Sequence, residues 1–464
     1  MNIGKLAAWI LASTLVAPTL RAQPYEAKWE SLDKRPVPQW FADAKFGIFI
    51  HWGVYAVPSW APANADIGVY AKYAEWYWNR LVLDDTNSHK YFVEFHNKTY
   101  GKDFKYQDFA GQFKAELFDP NQWADVFQRS GAKYVILTSK HHEGFTLWPS
   151  PQSWNWNSVD VGPHRDICGD LSQAVKAKGL KMGFYYSLYE WFNPLYKTNF
   201  EQYVDYHMIP QMKDLVTRYH PDIFWPDGEW DYTSDQWKSE QFLQWLYNES
   251  PVKDTVVVND RWGKETRSKH GGYYTTEYGL VGEQTGLGEA AAHPWEECRG
   301  IGTSFGYNRA EDLGNYSSSK QLLEVLLAKV SEGGNLLLDI GPTADGRIPV
   351  IMQERLLDMG NWLKVNGSAV YGTTPWKNRP KADKDQRVFF TTAGNALYVI
   401  CTRWPAQPLA IANISAAGKV SLLGSDVTVH ASCDANRLTI AAPTVAPDSL
   451  PCQYAWVFKV EDFK

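Results

Sequence analysis

Short apolar segments that alternate with helical patterns constrain the fold of this chain more than any other feature. Six segments are apolar on both faces: Phe46–His51, Tyr134–Ser139, Lys181–Ser187, Asp222–Trp225, Thr255–Val258 and Asn335–Ile340. Such runs are typical of parallel strands that helices cover on both sides. Helical patterns accompany them at Leu171–Lys178, Leu322–Val330 and Ile351–Val365. Alternation over about 330 residues predicts an α/β fold, a (β/α)8-like barrel.

The main alternative is an open, doubly wound sheet. Sheets of that kind commonly carry a glycine-rich phosphate loop, and no GxGxxG or GxxxxGK pattern occurs in this sequence. The barrel is therefore the preferred interpretation.

The sequence changes character near Pro375. Val388–Thr392 and Leu397–Thr402 flank Ala393-Gly394-Asn395, which indicates a β-hairpin, and no long helical pattern follows Val365. Two more strands are predicted at Asn436–Ala441 and Tyr454–Val460. We therefore predict a barrel over residues 23–375 and a small C-terminal antiparallel β-sandwich over residues 376–464.

The first 22 residues have the pattern of a secretory signal peptide. Lys5 precedes the eleven-residue apolar stretch Leu6–Val16, which is too short to span a bilayer comfortably, and Ala22 is a suitable cleavage position. A buried N-terminal helix is the alternative. The prediction is an exported protein, periplasmic or secreted, with no membrane insertion after cleavage. Export permits disulfides, and the sequence does not decide whether two of Cys401, Cys433 and Cys452 form one.

Charge and aromatic content narrow the class of ligand. The 46 basic and 52 acidic residues give a net charge of −6, so the chain has no basic excess with which to neutralise phosphates, and nucleic acid is not expected as a partner. Aromatic residues make up 15% of the chain, with 22 tryptophans among them. Tryptophan and tyrosine offer a flat apolar face with a polar edge, which matches a sugar ring.

Polar residues follow several predicted strands, where a barrel gathers its reactive groups. The fourth strand is followed by the acids Asp227, Glu229 and Asp231, whereas Asp222 stands at its start and is expected at the opposite end of the barrel. By position Asp227 is the first candidate for a nucleophile and Glu229 the second. The alternative for Asp227 is that it caps a turn or the next helix.

Two adjacent histidines, His141 and His142, follow the second strand. Neighbouring residues on a strand face opposite sides, so both can reach one site only if the strand has already ended. No HExxH pattern occurs and no third metal ligand lies nearby. Hydrogen bonds to ligand hydroxyls are the preferred interpretation, ahead of a metal site, and buried structural histidines are the plain alternative.

Ten stretches, in this order, resemble the retaining α-L-fucosidases, family 29 of the glycoside hydrolases. They are FGIFIHWG (46–53), AEWY (74–77), SKHHEGFTLW (139–148), GFYYS (183–187), FWPDG (224–228), NDRWG (259–263), TTEYG (275–279), WEECRGIGTSFGYNR (295–309), GGNLLLDIGP (333–342) and WLKVNGSAVYGT (362–373). The resemblance implies a barrel followed by a β-sandwich, in agreement with the fold predicted from the residues alone.

The resemblance also implies roles for individual residues. Asp227 takes the position of the nucleophile, and Glu277 is the best match for the acid/base, although many members have proline where this chain has Thr276. Glu296 and Glu297 remain rivals for that role. Positions associated with binding fucose are occupied by His51, Glu75, Trp76, His141, His142, Tyr185, Arg261 and Phe305, and Trp225 is expected to line the same pocket.

The chemistry implied is that of an exo-acting retaining glycosidase that releases terminal α-L-fucose from oligosaccharides or glycoconjugates. Such an enzyme needs two carboxyl groups about 5–5.5 Å apart, one ionised and one protonated. It requires no metal or organic cofactor. Two other classes stay open: a related retaining glycosidase with galactosidase-like specificity, and an inactive carbohydrate-binding protein. The sequence leaves the linkage, the aglycone and the oligomeric state undetermined.

Overall fold

Eight parallel strands form the larger part of the molecule. The structure is a computed structural model that describes residues 24–83, 87–278, 293–380 and 388–464, so the predicted signal peptide lies outside the described residues. The strands are β1 (Phe46–Ile50), β2 (Tyr134–Lys140), β3 (Lys181–Ser187), β4 (Ile223–Asp227), β5 (Val257–Val258), β6 (Tyr274–Glu277), β7 (Trp295–Gly300) and β8 (Asn335–Ile340). Their spatial order is β5-β4-β3-β2-β1-β8-β7-β6.

The sheet curls until its two edge strands meet. Asn259, just after β5, forms a parallel bridge with Tyr273, just before β6, and the Tyr273 amide donates to the Val258 carbonyl over 3.1 Å. This contact completes the ring, and the predicted (β/α)8-like barrel is confirmed.

Helices cover the outside of the ring. They are α1 (Trp29–Leu32), α2 (Gln39–Ala44), α3 (Tyr77–Val82), α4 (His89–Thr99), α5 (Pro120–Arg129), α6 (Ile167–Ala177), α7 (Leu195–Thr198), α8 (Phe200–Gln202), α9 (Ile209–Tyr219), α10 (Ser234–Trp237), α11 (Ser239–Asn248), α12 (Ser319–Ser331) and α13 (Val350–Asn366). A π-helical turn, Tyr203–Met208, leads into α9. Within the described part of the chain, no helix is long and apolar enough to cross a membrane.

Burial explains why six barrel strands could be predicted and two could not. Every residue of β1, β2, β4 and β8 is buried, and the core between these strands and the helices is aliphatic and aromatic. In contrast, β6 reads YTTE and β7 reads WEECRG. Both carry acids inside the barrel, so neither shows the apolar run by which strands are recognised.

The C-terminal region is antiparallel. One sheet has the order β13-β16-β11-β10-β9 and a second has the order β12-β15-β14. Their strands are β9 (Thr374–Pro375), β10 (Val388–Ala393), β11 (Ala396–Cys401), β12 (Leu409–Ala412), β13 (Val420–Leu422), β14 (Ala431–Asp434), β15 (Arg437–Ile440) and β16 (Trp456–Val460). Apolar side chains from both sheets share one core, which confirms the predicted sandwich.

The sandwich packs against α13, the last helix of the barrel domain, and against the turn that follows it. The Trp362 indole in α13 donates to the Ala455 carbonyl over 2.7 Å, and the Thr391 hydroxyl donates to the Ala369 carbonyl over 2.7 Å. β9 already belongs to the C-terminal sheet, and the domain boundary at 375/376 stays a prediction. All five cysteines are free, so Cys401, Cys433 and Cys452 form no bridge.

Candidate active site

A pocket of about 330 Å3 opens at the carboxyl ends of the barrel strands. It is lined by the eleven residues that the sequence placed first for catalysis or for binding fucose: His51, Glu75, Trp76, His141, His142, Tyr185, Trp225, Asp227, Arg261, Glu277 and Phe305. They come from segments more than 200 residues apart, and the parallel register of the strands brings them to one end of the barrel. The volume is at the small end for ligand pockets, about 300–1,000 Å3, which suits a single sugar ring.

Asp227 is the last residue of β4 and is held by two donors. The Tyr185 hydroxyl donates to Oδ2 over 2.9 Å, and Nη1 of Arg261 donates to Oδ1 over 2.6 Å. Gly228 then turns the chain with φ at +77°, and a Cβ at that position would lie 2.6 Å from the Tyr189 Cβ. The carboxylate is therefore fixed in both position and orientation.

The charges around Asp227 keep it ionised. Burial alone would raise its pKa, but the neighbouring cations hold the pKa well below its usual range. Arg261 is the nearest cation, and Nη2 of Arg267 lies 3.8 Å from Oδ1. Burial lowers the pKa of His142 well below its ordinary value, so that ring is neutral and the two arginines carry the effect. An ionised, oriented carboxylate has the state that a nucleophile needs.

The pKa of Glu277, the last residue of β6, is shifted in the opposite direction. Burial raises its pKa, and the negative charge of Asp227 raises it further, although Arg261 and Arg267 oppose the shift. The Tyr73 hydroxyl donates to its Oε1 over 3.1 Å, and Nη2 of Arg261 lies 3.8 Å from its Oε2. One guanidinium can reach both carboxyl groups only if they lie within several ångströms of each other. The pocket thus holds two carboxyl groups whose pKa values are shifted in opposite directions.

The rival acids lie outside the pocket. Glu296 is fully buried inside the barrel, where it accepts from Tyr134 and from the Trp225 indole over 3.1 Å. Glu297, the next residue on β7, faces outward and pairs with Lys329 of α12 over 2.6 Å. Glu229 is buried and accepts from Nε of Arg267 over 2.5 Å. None of the three lines the cavity.

The two histidines after β2 share the site because the strand ends at Lys140. Nδ1 of His142 lies 2.6 Å from the Ser187 hydroxyl, which itself donates to the Tyr189 carbonyl. The hydroxyl must therefore accept from Nδ1–H, and the lone pair of the neutral ring is on Nε2, 4.0 Å from Asp227. A hydroxyl group bound between them would find an acceptor at this nitrogen.

His51 is oriented in a similar way from the other side. Its Nδ1 lies 2.6 Å from Oδ1 of Asp339 in β8, and this contact leaves Nε2 for a ligand. The Phe305 ring stacks on His51 with centroids 4.8 Å apart, and Tyr73 packs edge-on against Phe305 at 5.2 Å. This side of the pocket therefore combines a polar nitrogen with an apolar wall.

Glu75 adds a third carboxyl group to the pocket. It accepts from the Gly306 amide over 2.8 Å and from the Ser304 hydroxyl over 3.2 Å, and burial raises its pKa to about 7. Trp76 follows it and packs edge-on against His142 with centroids 5.1 Å apart. Both residues lie on a single 3-10 turn, Ala74–Trp76, which enters the site from a loop.

Seven further residues line the pocket that sequence reasoning missed: Phe49, Tyr70, Tyr73, Arg80, Trp230, Arg267 and Cys298. Phe49 had a signal, because it lies on a predicted strand two residues before His51 and therefore faces the same way. Asp339, which holds His51, also had one, as a lone acid in the apolar run LLLDI. Arg267 and Tyr73 had none, because their roles depend on contacts across the barrel.

The arrangement defines a class of protein: a barrel with a sugar-sized pocket, an aromatic wall and a pair of carboxyl groups whose pKa values are shifted in opposite directions, as in glycoside hydrolases. Comparison with known proteins agrees. The family model described as alpha-L-fucosidase matches residues 13–368, and the model described as alpha-L-fucosidase C-terminal domain matches residues 381–461. The chain belongs to the α-L-fucosidase family, family 29 of the glycoside hydrolases.

Individual relatives cover nearly the whole chain. Tissue alpha-L-fucosidases of Rattus norvegicus and Homo sapiens are each 42% identical to it, over 97% and 96% of this chain and over 96% and 94% of their own lengths. Among solved structures, the Thermotoga maritima alpha-fucosidase in complex with a mechanism-based inhibitor is 37% identical, with a TM-score of 0.78 over 94% of this chain and 100% of that one.

Proposed function

We propose that this protein is an exo-acting α-L-fucosidase that hydrolyses terminal α-L-fucosides with retention of configuration. The observation that carries the proposal is the contact of one buried guanidinium, that of Arg261, with two carboxyl groups whose pKa values are shifted in opposite directions. Family membership supports the sugar, and the wall of Phe305 and Tyr73 supports it further. Fucose carries a methyl group where galactose carries a hydroxymethyl group, and an apolar wall suits the methyl.

In the proposed first step Asp227 attacks the anomeric carbon while the bond from that carbon to the leaving oxygen breaks. Glu277 gives its proton to that oxygen, and a covalent fucosyl-enzyme intermediate remains. In the second step Glu277 takes a proton from water, the water oxygen bonds to the anomeric carbon, and Asp227 leaves. Two inversions give net retention.

The remaining residues bind and orient. Tyr185 and Arg261 hold Asp227 at the angle of attack, the Nε2 lone pair of His142 can accept from a sugar hydroxyl, and Nε2 of His51 can hydrogen-bond to another. We assign His141, Glu75 and Trp76 to the same polar wall of the pocket. Trp225 lies deeper, under the Arg261 guanidinium, whose carbon is 4.4 Å from the ring centroid. We also propose export to the periplasm or the medium with cleavage after Ala22, which N-terminal sequencing of the mature protein tests.

Proton NMR of the product tests the stereochemistry. The first-formed sugar should be α-fucose, before mutarotation produces the other anomer; initial β-fucose would exclude a retaining enzyme. In the same assay an aryl galactoside should be a much poorer substrate than the aryl fucoside. A galactosidase-like ratio, or turnover of neither substrate, would support one of the two other classes.

The Asp227→Ala variant tests the nucleophile. We expect turnover to fall by orders of magnitude while the protein stays folded, and azide to restore activity with β-fucosyl azide as product. Glu229→Gln is the matched control, because Glu229 is a buried acid two residues away that does not itself line the pocket, although its partner Arg267 does. If Asp227→Ala kept normal turnover and Glu229→Gln lost it, the nucleophile would be Glu229.

A further inference from the structure

Two aromatic side chains stand half-exposed at the mouth of the pocket. Tyr70 is 45% exposed and Trp230 is 40% exposed, and both line the cavity. Large aromatic faces left open beside a binding pocket indicate a contact surface for the part of a ligand that projects from it. Because the pocket holds one sugar ring, the rest of a glycan must cross this mouth.

The position of Glu277 decides which aromatic residue the next sugar meets. If Glu277 is the acid of the proposed function, it lies beside the oxygen that joins fucose to its neighbour. Tyr70 packs edge-on against Tyr73 with centroids 5.7 Å apart, and the Tyr73 hydroxyl donates to Glu277. Burial raises the pKa of Tyr70 most, and the charge of Glu277 is the second cause, which is consistent with Glu277 lying near the Tyr70 hydroxyl. Tyr70 is therefore on the leaving-group side.

Trp230 is on another wall of the mouth. Its ring lies 5.4 Å from His142 and 5.9 Å from Tyr189, on the side where the sugar hydroxyls are expected to bind. The segment that carries Tyr70 is also tied down, because Nη2 of Arg80 donates to the Tyr70 carbonyl over 3.5 Å while the Arg80 guanidinium lies 4.9 Å from the Trp76 ring centroid.

We propose that Tyr70 forms the subsite for the sugar residue to which fucose is attached, and that the apolar face of that sugar stacks on its ring. This inference rests on the proposed function and extends it to the aglycone. It predicts a preference for fucosides whose leaving group is a pyranose over fucosides whose leaving group is too small to reach Tyr70.

The experiment compares two substrates in the full-length protein. Fucosyl fluoride has a leaving group of one atom and cannot reach Tyr70, whereas a fucosyl-galactose disaccharide can. For Tyr70→Ala we expect kcat/KM on the disaccharide to fall about three- to tenfold, the size of one aromatic stacking contact, and kcat/KM on the fluoride to stay within about twofold. Tyr70→Phe keeps the ring and should restore the disaccharide rate.

The matched control is Tyr206→Ala, since Tyr206 is a 74% exposed tyrosine that does not line the pocket and should change neither rate. Equal losses on both substrates, no loss on the disaccharide, or a disaccharide-selective loss for Trp230→Ala instead of Tyr70→Ala would each overturn the proposal. Failure of the unaltered protein to hydrolyse fucosyl fluoride would instead refute the proposed function, so the two failures are distinguishable.

Discussion

Removing the charge of Arg261 should shift the whole pH–rate profile towards higher pH. Arg261 is buried and contacts Asp227 at 2.6 Å and Glu277 at 3.8 Å. Its positive charge lowers the pKa of both carboxyl groups, so Arg261→Gln raises both. The acid limb of kcat/KM follows ionisation of the nucleophile in the free enzyme, and the alkaline limb follows loss of the proton from the acid. Both limbs therefore shift towards higher pH.

The two contacts set the sizes of the shifts. A hydrogen bond to a charged group contributes about 1.5–3 kcal/mol, and one pKa unit corresponds to about 1.4 kcal/mol. The pKa of Asp227 should therefore rise by about one to two units, with Arg267 at 3.8 Å limiting the change. The longer contact to Glu277 should give a shift of about half a unit to one unit, because a pair without a direct hydrogen bond interacts more weakly.

The assay is kcat/KM on a fucosyl-galactose disaccharide, whose leaving oxygen needs the proton of the acid, across the pH range in which each variant stays folded by circular dichroism. The position of the limbs is the readout, because loss of a sugar contact lowers the height of the profile without moving it. Arg261→Lys is the control, because lysine keeps the charge but loses the planar guanidinium that reaches both carboxyl groups. The maximum of kcat/KM should fall, while the limbs stay within about half a pH unit. Limbs that do not move in Arg261→Gln would refute the electrostatic account of the site.

Three further variants test separate parts of the site. Glu277→Ala should slow the cleavage of a fucoside with a sugar leaving group far more than the cleavage of one with an activated phenol, and should give α-fucosyl azide when azide is added. The Glu297 carboxylate faces α12, so Glu297→Gln should keep the leaving-group dependence of the unaltered enzyme. Burial raises the pKa of Glu296 to about 7, so Glu296→Gln should lower kcat/KM about two- to tenfold, the size of an uncharged hydrogen bond. Because Glu296 accepts from the Trp225 indole, the double variant with Trp225→Phe should lose less than the product of the two single losses. Phe305→Ala should reduce the preference for fucoside over galactoside about five- to tenfold, and an unchanged ratio would remove Phe305 from the methyl-binding wall.

The fold was predictable where burial leaves a mark on the sequence. β3 and β8 have the bounds that the apolar runs predict, Lys181–Ser187 and Asn335–Ile340, because both strands lie between the barrel interior and a layer of helices. β6 and β7 escaped prediction from the residues alone, because their inward positions hold polar side chains. The strand that carries Glu277 is thus one that resembles a strand least, whereas the strand that carries Asp227 shows the usual apolar run.

The same contrast applies to the site. The place of Asp227 at the end of a strand made it a candidate by position, whereas spacing alone could not choose among Glu277, Glu296 and Glu297. Side chains alternate along β7, so Glu296 points into the barrel and Glu297 away from it, but the sequence does not show which parity faces inward. The sequence also does not show how deep in the barrel a side chain lies. Glu296 points inward but lies below the pocket, where it accepts from the Trp225 indole.

The closure of the barrel has a consequence for heat inactivation. Seven junctions between neighbouring barrel strands are ladders of two or more residue pairs, whereas in the described residues β5 and β6 meet at the one pair Asn259–Tyr273. The β5–β6 junction is therefore the weakest ladder of the barrel, and it lies between β4, which carries Asp227, and β6, which carries Glu277. Local opening begins where few backbone pairs hold. Once the side-chain hydrogen bonds of Thr275 with Asp260 and Arg261 across this junction break, warming should spread the two carboxyl groups apart while the rest of the ring stays closed. Catalysis is then expected to fail at a lower temperature than the fold.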